Sequence, residues 1–138
     1  MAFIENSDYG FEFGASPDGL LVDAKGGLEI KCPRAVKHLN TYLYGKIDDS
    51  YILLMQGQML AGDLEFIDFF SYNNNLATKP IRIFRDEEII DKIVDAGKQF
   101  EEIVCEIIEK YNSIDGVTID NIKEEYISKS FLEAHNDN

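Results

Sequence analysis

Residues 14–33 set the terms for the rest of the chain. They read Gly-Ala-Ser-Pro-Asp-Gly-Leu-Leu-Val-Asp-Ala-Lys-Gly-Gly-Leu-Glu-Ile-Lys-Cys-Pro. Residues 28–32 alternate in the manner of a short strand. Residues two apart on a strand share a face, so Glu29 and Lys31 point the same way. Ser16-Pro17 fixes a turn ahead of Asp18, and Gly26-Gly27 is a hairpin signal that folds residues 20–22 back beside the strand. Folding at Gly26-Gly27 does not by itself superpose Asp18 on Glu29, but a twisted ribbon can bring the two carboxylates close. Two carboxylates and an ammonium on one small surface suit Mg²⁺, which takes one or two protein carboxylates and completes its shell with water and phosphate oxygens. Such an ion acidifies a bound water and stabilises charge on a phosphoryl group, and a neighbouring lysine can hold the attacking water or offset developing charge. An acidic-x-lysine pair alone is common and is usually a surface feature; the full string narrows the choice.

Ser16-Pro17-Asp18-Gly19-Leu20, followed by Gly27-Leu28-Glu29-Ile30-Lys31-Cys32-Pro33, resembles the active-site segment of the lambda-exonuclease and YqaJ-like viral recombinase family, within the PD-(D/E)XK nuclease superfamily. The likeness continues through the paired Gln56 and Gln58, the strand-like residues 66–72 and 81–85, and Arg85-Asp86-Glu87 at the entry to a long helix. It covers residues 9–112. The resemblance implies an α/β (α+β) restriction-endonuclease-like core with a mixed central β-sheet flanked by helices. It implies Mg²⁺, with Mn²⁺ as a substitute, held by Asp18, Glu29 and the backbone carbonyl of Ile30. Lys31 would position or activate the water, and Gln56 would face the metal centre with Gln58 as its packing neighbour. Ser16, Arg34 and Lys37 are the expected DNA contacts. The implied reaction is hydrolysis of phosphodiester bonds of linear duplex DNA, 5′-to-3′ from double-stranded ends, leaving a 5′-phosphate, in phage-type recombination. A homo-trimer and a single-strand annealing protein as partner go with it. The family's helices ahead of this segment carry a further acidic residue and an arginine. Glu5 and Glu12 are weak stand-ins, so the chain is expected to be shortened at its N-terminus.

Composition bears on what surrounds this segment. At 138 residues and 45% apolar content, one folded domain is expected over residues 1–134, with a disordered tail at 135–138. No apolar run is long enough for a membrane helix and no secretory pattern is visible; with the resemblance, this implies a cytoplasmic protein of a bacterial or phage-infected cell. Cys32 and Cys105 are expected as reduced core thiols, and two cysteines cannot ligate a four-cysteine iron–sulfur cluster. The net charge of −13 opposes DNA phosphates. Against it stands a basic island of Lys25, Lys31, Arg34, Lys37 and Lys46, with His38, where Glu29 is the single acid. The rival reading is a catalytically impaired nuclease-fold remnant acting as an acidic binding or regulatory module.

The remaining elements follow from periodicity. A strand is expected over residues 11–15, preceded by a lead-in. Residues 34–46 form a short helix or ordered loop, on which His38 is more a polar neighbour than a metal ligand. Residues 48–61 form a helix capped by Asp48 or Asp49, with Tyr51, Leu54, Met55 and Gln58 on its apolar face. Gly57 within it costs about 1 kcal/mol and marks a close approach of backbone or DNA. Residues 65–72 and 80–85 pair antiparallel about Asn73-Asn74-Asn75. A long helix over 86–111 carries a core stripe of Ile89, Ile93, Gly97, Phe100, Val104, Ile107 and Tyr111, and a further helix is expected over 118–132.

Overall fold

The computed structural model describes residues 3–22 and 25–114; the expected helix over 118–132 and the tail at 135–138 lie outside them. The chain divides into two compact units, residues 1–97 and 98–138. The first contains β1 (Ile4–Asn6), β2 (Phe13–Ala15), β3 (Gly19–Leu20), β4 (Gly26–Lys31), α1 (Ala35–Tyr44), α2 (Asp49–Gly62), β5 (Phe66–Ser71), β6 (Pro80–Phe84) and the opening turns of α3 (Glu87–Asn112). In the second, the described residues are the later turns of α3, where Lys110 pairs with Glu106 one turn back, and a short exit to Ile114.

β1 and β2 form a small antiparallel ribbon, and β3-β4-β5-β6 form a four-stranded sheet. β4 and β5 run parallel while both outer pairings are antiparallel. A parallel pair needs a long crossover, and α1 and α2 supply it. The result is the expected mixed central sheet flanked by helices. One face of that sheet buries Ile67 and Phe69 against Met55, Met59 and Leu64. A second cluster joins Phe11 and Leu60 to Ile90 and Val94.

Several local expectations need correction. Gly26 and Gly27 are not the hairpin turn; they are the first residues of β4, and the reversal is closed by Leu21 N–H donating to Gly26 O at 2.9 Å. Glycine is needed at 26 for space, since a Cβ there would lie 2.4 Å from the Phe66 ring. The close approach at Gly57 comes from an aromatic ring of β2, not DNA: a Cβ would sit 3.3 Å from Phe13 Cζ. β1 exceeds the expected lead-in, but three residues are too few to show an alternation. On α3 the buried residues are Ile90 and Val94, one position on from the expected Ile89 and Ile93, and Phe100, Ile107 and Tyr111 are exposed. The rotation is set at the helix entry, where Arg85 Nη1 donates to Met59 O and Asp86 N–H to Gln56 Oε1, both at 2.9 Å. Cys32 and Cys105 are exposed rather than core thiols. Pro33 ends regular pairing just after Cys32 and turns the chain toward α1. Among the described residues no helix is long and apolar enough to cross a membrane.

Two consequences are measurable. Phe69 is 1% exposed at the centre of the sheet, so Phe69→Ala should cost about 3–5 kcal/mol in urea unfolding. Across β5 and β6, Arg82 holds Asp68 through two 2.8 Å hydrogen bonds, which keep the Asp68 carboxyl below the usual carboxylate range. A depressed carboxyl contributes stability above its unfolded pKa and loses it as pH falls through the folded value. Asp68→Asn should therefore cost stability at neutral pH and flatten the loss below about pH 4, as followed by thermal melts across acid pH.

Candidate active site

The site is fixed first by backbone register. Gly19 lies opposite Leu28 and Leu20 opposite Gly27. Antiparallel partners alternate between hydrogen-bonded and non-hydrogen-bonded pairs, and the Leu21–Gly26 hydrogen bond marks the phase. One step beyond the ladder, Asp18 falls opposite Glu29 in a non-hydrogen-bonded pair. Side chains so placed share a face, with Cβ atoms about 4.5–5.5 Å apart. One step further, Pro17 falls opposite Ile30. Proline has no N–H to donate, so the ladder offers no donor to the Ile30 carbonyl. The Ile30 N–H is taken by the side chain of Asp18, with Oδ2 at 2.7 Å. Asp18 is exposed, yet this bond ties it to the amide just past Glu29.

Glu29 is 2% exposed on β4. Its Oε1 is ion-paired with Lys31 Nζ, and its Oε2 accepts from Gln58 Nε2 at 2.8 Å. Among the described residues the Gln58 Oε1 is buried without a hydrogen-bond partner. Lys31 Nζ also lies 5.7 Å from the centre of the Tyr51 ring. Thus Asp18, Glu29 and Lys31 gather at the end of β4; α2 reaches Glu29 and Lys31 through Gln58 and Tyr51, while Asp18 stays exposed.

Gln56 is not part of this group. Its Nε2 donates to Phe84 O and its Oε1 accepts from Asp86 N–H, both at 2.9 Å, so it ties α2 to the junction between β6 and α3. The glutamine that faces the acidic pair is Gln58. Seven residues separate it from Tyr51, which returns a helix to nearly the same face at 3.6 residues per turn. That spacing was the available signal, and it put Gln58 on the stripe that α2 turns toward β4.

The surrounding polar residues separate into bound and open ones. His38 is buried, with Nδ1 2.9 Å from Ser71 Oγ and Nε2 donating to Ala77 O at 2.9 Å. Both ring nitrogens are engaged, so it braces α1 against β5 and is no metal ligand. Lys37 pairs with Asp48 at 2.7 Å, and Lys25 with Asp63 at 2.7 Å. The basic island is therefore partly neutralised from outside its own sequence segment. The Lys37 hydrogen bond, with support from Ser50, holds the Asp48 carboxyl well below the usual carboxylate range. Ser16 and Arg34 are exposed, and Arg34 stands at the N-cap of α1 without a side-chain capping bond.

Among the described residues no group of three or more His, Cys, Asp and Glu side chains is placed to hold a metal. The donors at hand are two carboxylates, the Ile30 carbonyl and the orphaned Gln58 Oε1. This is an all-oxygen set of low charge, and it fits Mg²⁺ or Mn²⁺ better than the nitrogen and sulfur ligands that zinc or copper prefer. Because Oε1 of Glu29 is paired with Lys31, a cation there would compete with the ammonium.

Comparison with known proteins bears on this arrangement. Residues 1–65 match the family model of the YqaJ-like viral recombinase domain. The chain is similar to a crystal structure of an alkaline exonuclease, LHK-Exo, from Laribacter hongkongensis. The two are 35% identical with a TM-score of 0.66, over 80% of this chain and 59% of that one. A crystal structure of LHK-Exo in complex with dAMP gives 38% identity and a TM-score of 0.60, over 71% of this chain and 53% of that one. The chain thus spans less than two thirds of the length of the enzyme it matches. With that enzyme it shares a restriction-endonuclease-like fold. None of the curated protein sequences matches it.

The two glutamines should separate on mutation. Gln56→Ala removes the partner of the part-buried Phe84 carbonyl and Asp86 amide, so stability should fall by about 0.5–1.5 kcal/mol for each bond lost, with the Glu29 carboxyl carbon unmoved in the NMR spectrum. Gln58→Ala should shift that carboxyl resonance.

Proposed function

We propose that this chain, whose residues 1–65 carry the YqaJ-like viral recombinase domain, is the nuclease core of an Mg²⁺-dependent DNA exonuclease of the PD-(D/E)XK kind. The observation that carries the reading is the register that sets Asp18 opposite Glu29, with Lys31 on the same face and paired to Glu29. The similarity to an alkaline exonuclease supports DNA as the substrate.

Asp18, Glu29 and the Ile30 carbonyl would hold the ion. When bound, it supplies an acidified water and neutralises charge on the phosphoryl oxygens. Gln58 keeps Glu29 from turning as its other oxygen changes partner. Lys31, released from Glu29 Oε1, donates to the attacking water and offsets charge that develops on the phosphate. In-line attack of the water on phosphorus breaks the P–O3′ bond and leaves the phosphate on the 5′ end, the water giving up a proton to solvent and the departing 3′ oxygen taking one from it. Ser16, Arg34 and the first amides of α1 are open to the DNA backbone, a placement that suits phosphate. Lys37 joins them by exchanging Asp48 for phosphate. Digestion runs 5′-to-3′ from double-stranded ends in phage-type recombination, with a homo-trimer and an annealing protein as assembly and partner.

A second reading has support in the neutralised island. With Lys25 and Lys37 already paired and the chain at −13, the fold could serve as an acidic binding module without cleavage. Calorimetry with Mn²⁺ and a nuclease assay on linear duplex DNA separate the two. Wild-type protein should bind Mn²⁺ and cut. Asp18→Ala and Glu29→Ala should lose both activities. Lys31→Ala should keep the metal and cut about 10²-fold more slowly or worse. Absence of cleavage by wild type with either Mg²⁺ or Mn²⁺ sinks the enzyme reading.

A further inference from the structure

Tyr51 has no part in the chemistry described so far. Its ring packs on Phe69, centroids 5.9 Å apart and planes inclined by 35°, and Phe69 is itself buried. That contact fixes the ring from behind. Two ammoniums approach it: Lys31 Nζ at 5.7 Å and Lys37 Nζ at 4.9 Å from the centroid. Both fall within the range where a cation is attracted to an aromatic face. On α2 the ring lies on the same stripe as Gln58, so one helix face touches both members of the Glu29-x-Lys31 pair.

We propose that Tyr51 is a positioning residue that seats the Lys31 ammonium when Glu29 gives up its ion pair. The catalytic consequence rests on the nuclease reading above; the contact itself does not. A cation on Glu29 removes the strongest partner that Lys31 has. A lysine freed in this way has four rotatable bonds and open solvent to explore, at a considerable gain in side-chain entropy. The ring face offers it a second hold, within reach of the carboxylate it has just left. The same ring also offers Lys37 a seat when that side chain leaves Asp48 for a phosphate. Its quadrupole offsets part of the repulsion between two like charges brought to one place. This role needs an aromatic face and no hydroxyl.

The test compares Tyr51→Phe and Tyr51→Trp, which keep a ring, with Tyr51→Leu and Tyr51→Met, two apolar shapes that fill the space against Phe69. In the metal-free 138-residue protein, the Lys31 ε-methylene protons should carry a ring-current shift in the NMR spectrum. It should persist in the aromatic variants and vanish in the aliphatic ones. Adding Mg²⁺ should leave the shift in place in wild type. With saturating linear duplex DNA, the aliphatic variants should lose about tenfold in kcat, while Tyr51→Phe stays near wild type. Lys31 protons that ignore loss of the ring overturn the proposal, as does a Tyr51→Phe variant as impaired as Tyr51→Leu. A loss confined to KM also overturns it, because the ring would then act through Lys37. If wild type cuts no DNA, the nuclease reading falls and the NMR comparison alone decides the role of Tyr51.

Discussion

The antiparallel pairing of β3 with β4 is short, two residue pairs in all, yet the site depends on its phase. Shift the register by one and Asp18 would face a residue whose side chain points to the other side of the sheet. Pro17 adds to the effect by what it lacks. Without an N–H it ends the ladder at the place where a backbone carbonyl next to two carboxylates is best left unpaired. The Asp18 side chain then takes the amide that the proline segment leaves over. A turn residue, a missing donor and a carboxylate thus produce a concentrated patch of oxygen donors from a few residues of chain.

α2 does the complementary work from above. Its Gln58 fixes Glu29, its Tyr51 lies against Lys31, and its Met55 and Met59 fill the core beneath. On another side its Gln56 fastens the start of α3, and its Leu60 belongs to the second cluster. Polar groups buried this deeply are tolerable because most are paired. Among the described residues the exception is Gln58 Oε1, on the amide whose nitrogen holds Glu29. An acceptor left over at that spot agrees with a site meant to receive a cation or a water.

Much of this could be read from residue types and spacing. The Glu29-x-Lys31 face, the helix over 48–61 with its aspartate cap and the β5–β6 pairing all follow from local rules, and the structure has each of them. The departures share a cause: they turn on neighbours distant in sequence. Gly26-Gly27 looks like a turn until the Phe66 ring, forty residues on, is seen to need the space. Spacing put Gln58 on the inner stripe of α2, but only the β6–α3 junction, which claims Gln56, and Glu29, which claims Gln58, decide which glutamine serves the site. The shift of the α3 stripe arises from Arg85 and Asp86 binding α2, which no periodicity within α3 could report. Lys25 and Lys37 read as a free basic island, and their acidic partners Asp63 and Asp48 lie outside its strand and helix.

The parallel pairing of β4 with β5 has a kinetic corollary. Asp18 and Glu29 are joined by a hairpin that closes locally, and such closures are fast. Gln58 and Tyr51 reach β4 only after the whole crossover has packed and β5 has found its place, a non-local event that carries a loop-closure cost. During folding or synthesis the oxygen donors therefore meet before their helical clamp arrives. In that interval Lys31 has its carboxylate partner on β4 but neither the Tyr51 ring nor the Gln58 amide of α2 beside the pair.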